Sequence, residues 1–461
     1  MTTNRDPQAF ASSSLCWAIA QRIHDAPDQR ISFAEYMDLA LYHPEWGYYA
    51  SRRSPIGARG DFVTSPHMGA DFGELLAKQF VDMWNRLGQP HPFHLVEMGA
   101  GQGLIVRDVL NYLHRYHFNC FEALKYLIVE KSAALIAEQK RQLSLLPSLA
   151  EAQTRLQWVQ WQDIANASIT GCFFSNELVD ALPVHQVVVE AGSLKEIYVT
   201  LENLNAVSQA IDEGQDCTQD WANSGVMPRF AERVGELSTP ELQDYFAQLQ
   251  IDLSADAYPD GYRAEVNLNA LDWIETVSQR LQRGYVLTID YGYPAHRLYN
   301  PARAQGTLQC YYRHAHHSDP YIHVGRQDMT AHVDFTTLEQ RGTQTGLQSL
   351  GMTPQAMFLM ALGLGDRIAA LSHVQVEASS AQAKIVTDSV ADPSSPASGY
   401  ESEPMSMNDV LRRREALHAL MNPLGMGNFQ VLLQAKGLSL DELARPLQGF
   451  DIPPLSALIS P

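Results

Sequence analysis

Cysteine is scarce in this sequence, and its distribution excludes two common stabilising frameworks. The 461 residues contain five cysteines, at positions 16, 120, 172, 217 and 310, and no two of them form a C-x-x-C pair. Disulfide frameworks and structural zinc sites both depend on cysteines in recognisable spacings. The sequence therefore predicts reduced, mostly buried thiols and no resident metal, as is usual in a cytosol-like compartment.

Basic residues and long apolar runs are also in short supply. Lys and Arg total 33 against 52 Asp and Glu, which gives a formal net charge of −19. Such a chain lacks the basic footprint that nucleic acids and anionic membrane surfaces attract. No apolar run approaches the ~18 residues of a membrane span. The first fifteen residues lack a secretory apolar core and an Arg-rich presequence, so we expect a cytoplasmic protein of bacterial type.

The pattern along the chain predicts an α/β core flanked by helical segments. From residue 91 short apolar runs alternate with amphipathic helices, which is typical of βαβ units in a parallel sheet. A helix is predicted at 267–283 with Gly284 as its C-terminal stop. The predicted regions are a helical region at 1–90 with a lid-like loop at 47–66, the core at 91–374 with an insertion at about 184–266 that contains a hairpin, a disordered insertion at 375–408, and a helix and strand at 409–461 that complete the core.

The strongest chemical motif is a glycine loop after the first core strand. Glu97 closes the strand, and Gly99, Gly101 and Gly103 follow at alternate positions, with Ala100 between the first two. The spacing G-x-G-x-G differs from the G-x-G-x-x-G of dinucleotide enzymes. An acid before the loop favours a cationic or amino-bearing ligand over a pyrophosphate. S-adenosylmethionine has an ammonium and a sulfonium group and fits this pattern; the alternative is a connector without a ligand.

Acids near the ends of the next two strands are candidates for holding the rest of a nucleotide. Glu130 ends the second strand, where a carboxylate can accept both ribose hydroxyls. Asp163 follows the third strand, at a position that would meet the adenine amine. The alternatives are a surface glutamate at a strand end for Glu130 and a helix N-cap for Asp163.

The fourth strand runs into the segment SNELVDALP, which predicts a site for a methyl acceptor. Asn176, Glu177 and Asp180 follow the strand, and ligands of open α/β sheets bind beyond the carboxyl ends of the strands. Two carboxylates there would hold and orient a guanidinium or an amine, so these residues are predicted to be catalytic. The alternative is that Asn176 caps a helix and Glu177 stabilises its dipole.

Two further segments are candidates for the walls of such a site. Residues 60–66 are predicted to fold over the cofactor as a lid, and the alternative is a structural Ω-loop. The members of that segment assigned to the cofactor are Asp61, Thr64, Ser65 and Pro66. In the segment DMTAHVDF, which begins at Asp328, His332 and Asp334 are predicted to form a polar wall or a base; the alternative is a strand or helix-cap network.

A cluster of histidines does not predict a metal site. Its members are His314, His316, His317 and His323, and their spacing fits no common ligand set.

Together the motifs resemble those of the MidA family of class I S-adenosylmethionine-dependent methyltransferases. They are YHPEWGYY (42–49), GDFVTSP (60–66), FGELLA (72–77), VEMGAGQG (96–103), SNELVDALPVH (175–185) and QDMTAHVDF (327–335). The resemblance implies a Rossmann-like α/β fold with a seven-stranded sheet, a final antiparallel strand and helices on both faces. It also implies that Gly99, Gly101 and Gly103 line the cofactor while Glu97 and Glu130 anchor it.

The resemblance further implies methyl transfer to an arginine of a protein substrate, with a subunit of respiratory NADH dehydrogenase as the kind of target. A second hypothesis, from another functional class, is an assembly or scaffolding factor for a respiratory complex that binds S-adenosylmethionine without turning it over. Product formation separates the two hypotheses, because both require cofactor binding.

Overall fold

The computed structural model describes residues 7–50, 64–144, 155–213, 226–254, 256–372, 375–377, 384–386 and 405–452. Its α-helices, in chain order, are α1 (Pro7–Asp25), α2 (Phe33–Tyr42), α3 (Ala70–Arg86), α4 (Leu104–Tyr116), α5 (Phe118–Ala123), α6 (Ala133–Leu143), α7 (Leu204–Asp212), α8 (Glu241–Gln248), α9 (Leu268–Arg280), α10 (Ala295–Leu298), α11 (Phe335–Gln344), α12 (Gln355–Ala361), α13 (Leu364–Ser372), α14 (Met407–Met421) and α15 (Leu440–Leu443).

The strands are numbered in the same way and fall into several sheets. They are β1 (Ile31–Ser32), β2 (Phe93–Met98), β3 (Leu124–Val129), β4 (Leu156–Val159), β5 (Ile169–Asn176), β6 (His185–Glu190), β7 (Ser193–Leu201), β8 (Phe230–Gly235), β9 (Arg263–Val266), β10 (Leu281–Asp290), β11 (Gly292–Tyr293), β12 (Gln309–Tyr312), β13 (Ala315–His317), β14 (Asp328–Thr330), β15 (Val333–Asp334), β16 (Gln348–Pro354), β17 (Gln375–Glu377), β18 (Lys384–Val386), β19 (Met405–Ser406) and β20 (Gln430–Lys436).

The central sheet has seven strands in the order β16-β20-β10-β5-β2-β3-β4. The run from β10 to β4 is parallel, whereas β20 lies antiparallel between β10 and β16. The expected α/β class, the seven strands and the antiparallel final strand are therefore confirmed. Strand β16 was not predicted from the sequence, because QSLGMTP has only two large apolar side chains and contains Gly351 and Pro354.

The inner strands of the central sheet are mostly apolar because helices cover both faces of the sheet. All six residues of β2 are buried. Successive side chains point to opposite faces, so Leu95 joins the cluster under α3 and α4, while Val96 joins the cluster under α9 and α11. A parallel sheet buried on both faces gives such continuous apolar runs.

A second, antiparallel sheet joins two segments that are distant in the sequence. Its strands run β1-β7-β6-β9, and β8 pairs with β7. The predicted hairpin is confirmed: it turns at Ala191 and Gly192, which have φ angles of 50° and 69°. Residues of α1 and α2 share one buried cluster with Val199 and Leu201 of β7. The N-terminal helices and the insertion at 184–266 thus share one hydrophobic core.

Two predicted details of local structure differ from the observed fold. Helix α9 ends at Arg280, and Gly284 lies inside β10 opposite Gly171 of β5, so it is not a helix stop. Its φ is 137°, and a Cβ there would overlap the backbone carbonyl of Gly171. Gly284 therefore permits a close strand approach. Within the predicted disordered insertion, β17, β18 and β19 pair with one another, and the remaining residues at 378–383 and 387–404 lie outside the described residues.

No helix within the described ranges combines the length and the apolar character that crossing a bilayer requires.

Candidate functional site

Four neighbouring strands end at the same edge of the central sheet. Glu97 lies opposite Phe174 near the ends of β2 and β5, and Ile289 lies opposite Asn176 at the ends of β10 and β5. The order in which strands are added reverses between β2 and β5, since β3 is added on one side of this pair and β10 on the other. Ligands of open α/β sheets bind at such a reversal.

Two adjoining cavities open at this edge. The first, here called the glycine-loop cavity, is lined by several predicted residues: Thr64, Pro66, Glu97, Gly99, Ala100, Gly101, Glu130, Asn176 and Glu177. The second, here called the tyrosine cavity, is lined by Tyr49, Tyr291, Tyr293, Tyr311 and Phe429 together with Glu177, Asp180, Asp328 and His332. Tyr49 and Glu177 line both cavities and therefore mark their junction.

The glycines of the loop have different roles. Gly99 and Gly101 have φ angles of 71° and 51°, a region that L side chains rarely adopt. A Cβ at Gly101 would meet no atom within 4 Å, so this position faces open space, whereas a Cβ at Gly99 would collide with Leu178. Gly103 was expected to line the cofactor site, but it does not line the glycine-loop cavity. It starts α4 with a φ of 79° and packs against Gln139.

Glu97 lies on the floor of the glycine-loop cavity and is buried. The Tyr126 hydroxyl donates to its Oε2 at 2.6 Å. Burial raises the pKa of Glu97 to about 8, even though the tyrosine bond favours the charged form. A cationic ligand would recover the cost of ionising this carboxyl group.

Glu130 follows β3, at the predicted position, and is held on one side. The backbone N–H of Ser132 donates to its Oε1 at 2.9 Å, and Gln139 Nε2 lies 3.4 Å from Oε2. Burial raises its pKa. Ser132 also caps α6, so the carboxylate is fixed at the start of that helix.

The structure does not place Asp163 in either cavity. Asp163 is exposed and belongs to the short 3-10 helix Trp161–Asp163, where its carboxylate accepts the backbone N–H of Gln160 at 2.8 Å. The N-cap of this turn is Gln160, so Asp163 stabilises the turn from its third position instead of capping it as the alternative expected, and its carboxylate lines neither cavity.

The turn after β5 is anchored by an acid that the sequence analysis missed. Asp290 is buried at the end of β10, and its Oδ2 accepts the backbone N–H groups of Leu178, Val179 and Asp180 at 3.2, 2.9 and 3.3 Å. The 3-10 helix Val179–Ala181 has Leu178 as its N-cap, so the part of the alternative in which Asn176 caps a helix is wrong. The signal for Asp290 was the acid that ends the strand YVLTID.

Glu177 is positioned by both backbone and side-chain contacts. Its φ is 53°, and its backbone N–H donates to the carbonyl of Ile289 at 2.9 Å. Its Oε1 accepts the backbone N–H of Ser65 at 3.2 Å and Nδ2 of Asn176 at 3.0 Å. Burial, together with the nearby charge of Asp180, raises the pKa of Glu177 to about 8.

Two buried oxygens at the junction have no hydrogen-bond partner within the described part of the chain. They are Oδ1 of Asn176, a residue that lines the glycine-loop cavity, and Oδ1 of Asp180, a residue that lines the tyrosine cavity. Burial raises the pKa of Asp180 to about 6. Unpaired buried acceptors are costly, so each of these atoms indicates where a ligand donor would bind.

His332 and Asp334 have different surroundings despite their proximity in the sequence. His332 lines the tyrosine cavity, and burial together with the Arg303 charge lowers its pKa to about 4, so it is neutral at physiological pH. Asp334 does not line either cavity. It caps α11 through the N–H groups of Thr336 and Thr337 and accepts the Tyr245 hydroxyl at 2.9 Å, which is the helix-cap alternative.

The segment 64–68 contacts both the glycine loop and Glu177 in the turn after β5. Thr64 and Pro66 line the glycine-loop cavity, and Ser65 reaches Glu177 through its backbone. His67 Nε2 lies 3.3 Å from Gln102 Oε1. Asp61 and most of the predicted lid lie outside the described residues.

The histidine cluster does not converge on a metal-binding geometry. Across the described ranges, His, Cys, Asp and Glu side chains form no group of three that could hold an ion.

The sequence analysis also overlooked two tyrosines of the motif YHPEWGYY. Tyr42 and Tyr49 stack with ring centroids 5.3 Å apart, and both line the glycine-loop cavity. The motif itself was the only available signal, because neither tyrosine lies near the glycine loop in sequence.

Comparison with known proteins identifies the family and its cofactor. A family model for S-adenosyl-L-methionine-dependent methyltransferases matches residues 75–353. The chain is similar to protein arginine methyltransferase NDUFAF7 of Homo sapiens, with 27% identity over 74% of this chain and 72% of that protein. The NDUFAF7 homolog of Drosophila melanogaster is also 27% identical, over 71% of this chain and 70% of the relative.

A solved structure resembles the whole chain. The crystal structure of a Burkholderia thailandensis protein bound to S-adenosyl-homocysteine has a TM-score of 0.74 and 27% identity, and the match covers 98% of both chains. The cofactor of this protein is therefore S-adenosylmethionine, and the open glycine loop and the carboxyl groups of Glu97 and Glu130 fit it. The chain belongs to the family of S-adenosyl-L-methionine-dependent methyltransferases.

Proposed function

We propose that this protein transfers the methyl group of S-adenosylmethionine to a guanidinium nitrogen of an arginine in a protein substrate. The observation that carries the proposal is the position of Glu177 at the junction of the two cavities, where donor and acceptor would meet. Asp180 and Asp328 add two carboxyl groups to the tyrosine cavity. The relatives named protein arginine methyltransferase support the same acceptor.

The residues of the glycine-loop cavity would hold the cofactor by complementary charge. Glu97 would pair with the ammonium group, and Glu130 would accept the ribose hydroxyls. Oδ1 of Asn176 offers one more acceptor at the junction. S-adenosylmethionine supplies an electrophilic methyl group, whose bond to sulfur breaks as its bond to nitrogen forms.

The residues of the tyrosine cavity would prepare the acceptor. A guanidinium is a weak nucleophile because its charge is delocalised, and ionised Glu177 would localise that charge and aim one nitrogen at the methyl group. The tyrosine rings would stack on its planar faces. Asp180 has an unpaired oxygen to take the proton that the methylated nitrogen loses, before that proton passes to solvent.

The acceptor protein that we propose is a subunit of respiratory NADH dehydrogenase, on the basis of the family resemblance. A cell lysate from a strain that lacks this protein, incubated with the purified protein and radiolabelled S-adenosylmethionine, should show a labelled band. Mass spectrometry of that band should identify methylarginine in such a subunit.

Glu177→Gln tests the role of the junction carboxylate. The amide is isosteric but cannot localise a positive charge, and a lost charged contact of ~1.5–3 kcal/mol corresponds to roughly ten- to two-hundred-fold in rate. We expect labelling to fall by about two orders of magnitude while cofactor affinity stays within a few-fold, and the matched control Glu190→Gln, on an exposed strand end, to label normally. Cofactor binding by the wild-type protein without any labelled product would instead favour the assembly factor.

A further inference from the structure

Tyr49 connects the two cavities through opposite ends of the residue. Its hydroxyl donates to Oδ1 of Asp328 at 2.8 Å, in the wall of the tyrosine cavity. Its backbone carbonyl accepts the hydroxyl of Ser132 at 2.8 Å, in the wall of the glycine-loop cavity. Ser132 in turn donates its backbone N–H to Glu130. A continuous hydrogen-bonded path therefore runs from Glu130 to Asp328.

The two donors to Asp328 fix one of its oxygens. Asp328 is buried in β14, and its Oδ1 accepts its neighbour's backbone N–H, that of Met329, at 3.0 Å as well as the Tyr49 hydroxyl. The carboxylate belongs to the same cavity as Glu177, and its charge contributes to the raised pKa of Glu177. Asp328 and Glu177 therefore act on the same ligand space from different elements.

We propose that Tyr49 is a positioning residue, which holds Asp328 as a second guanidinium-binding carboxylate and ties that carboxylate to the wall of the cofactor cavity. This inference rests on the proposed transfer to arginine. A guanidinium has five N–H donors in a planar fork and can use two carboxylates along different edges, whereas a lysine ammonium is a compact point charge. The pair Glu177 and Asp328 therefore selects arginine over lysine, and Tyr49 maintains the second half of that pair.

A binding experiment tests the proposal without a known protein substrate. The probes are N-acetyl-arginine amide and N-acetyl-lysine amide, titrated by NMR into the full chain saturated with S-adenosylhomocysteine. The variants are Tyr49→Phe, Asp328→Asn and the double substitution. The matched control is Tyr36→Phe, which removes another buried hydroxyl, one that donates to the carbonyl of Pro320 at 2.8 Å away from both cavities.

We expect the wild-type protein and Tyr36→Phe to bind the arginine probe alike. Tyr49→Phe should weaken that binding about tenfold and Asp328→Asn by at least as much, since each disturbs a hydrogen bond to a charged group. The double variant should be no weaker than Asp328→Asn alone, because the hydroxyl acts through that carboxylate. Affinity for S-adenosylhomocysteine should change less than threefold in every variant, and binding of the lysine probe should be weak throughout.

Four results would overturn the proposal: no binding of the arginine probe to the wild-type protein, normal binding by Asp328→Asn, additive losses in the double variant, or equal binding of the two probes. A different result would overturn the proposed methyl transfer. If the probe pattern is as expected but the wild-type protein labels no protein in the lysate, the role of Tyr49 in guanidinium binding stands and the catalytic proposal does not.

Discussion

The glycine-loop cavity and the tyrosine cavity share Tyr49 and Glu177, yet their remaining walls are built in different ways. In the glycine-loop cavity, most of the polar residues and glycines lie at the ends of β2, β3 and β5 or within a few residues after them. The second takes its walls from segments as distant as Tyr49, residues 291–293, Tyr311, residues 328–332 and residues 423–429. Local sequence motifs can predict a cavity that consecutive strand-to-helix connections form, but they cannot predict a cavity that distant segments form.

The two cavities also differ in chemistry. Backbone and small residues dominate the glycine loop, which suits close approach by a nucleotide. Aromatic rings and carboxyl groups dominate the tyrosine cavity, which suits a planar cation. Each cavity nevertheless contains a carboxyl group whose pKa burial raises to about 8, Glu97 in the first and Glu177 at the junction.

Gly101→Val should break the first cavity with the largest effect. A side chain at position 101 would project into open space that the cofactor needs, so we expect affinity for S-adenosylmethionine to fall by at least ~100-fold, as loss of several contacts would require. The matched control is Gly88→Val, because Gly88 also has a positive φ, of 78°, and open space around its Cβ position. Both variants carry the same kind of backbone strain, roughly 1–3 kcal/mol. Calorimetric affinity equal to wild type in Gly101→Val would place the loop outside the site.

The pH dependence should separate the two carboxyl groups. Both carboxyl groups have a pKa of about 8, so each holds a proton when the pH is lower than that. Each must lose this proton to pair with a cation. We therefore expect cofactor affinity, through Glu97, and single-turnover methyl transfer, through Glu177, each to fall about tenfold per unit as the pH drops below about 8. Glu97→Gln should flatten only the affinity profile and Glu177→Gln only the transfer profile. A profile that both substitutions leave unchanged would assign the titration to another group.

Asp290→Asn should sharpen the comparison with a smaller effect. An amide oxygen can still accept the N–H groups of the turn, but the NH2 group would face the backbone N–H of Tyr291, which now donates to Oδ1 at 2.8 Å. We expect a loss of about 1–3 kcal/mol in the free energy of unfolding and about tenfold in methyl transfer, with cofactor affinity nearly unchanged. The control Asp260→Asn alters a carboxylate that accepts the N–H of Ala191 in an exposed hairpin. Equal losses of stability and activity in both variants would contradict a special role for Asp290.

Sequence patterns predicted the core of the fold because its elements are locally encoded. The apolar pattern predicts a helix at Phe33–Tyr42, a strand at Phe93–Met98 and a helix at Leu104–Tyr116, and α2, β2 and α4 have these bounds. Gly284 misled the prediction because a glycine after a helical pattern ordinarily marks a helix end, and only the neighbouring Gly171 shows that close strand packing requires it. The short strand β1 has just two residues, Ile31 and Ser32, and only its pairing with β7 defines it.

Some residues of the candidate site could also be predicted from the sequence, and others could not. Glu97, Gly101, Glu130 and Glu177 are at the cavities because a strand end in a parallel sheet has a known position. Asp163 and Asp334 also follow or belong to strands, but both carboxylates accept backbone N–H groups of a helical turn instead of facing a cavity. Spacing along the chain cannot distinguish these outcomes, because capping and ligand binding use the same short acidic side chains.

The sequence by itself determined that this protein has a parallel α/β core with a glycine loop and acids at its strand ends, because backbone propensity, apolar period and turn chemistry act over a few residues. Tertiary structure alone decided which acids line the two cavities. Tyr49 bonds to Ser132, which is 83 residues away. Asp290 bonds to the turn at 178–180, which is 110 to 112 residues away. Asp328 bonds to Tyr49, which is 279 residues away. Contacts at such separations depend on how the whole chain packs, and no local pattern specifies them.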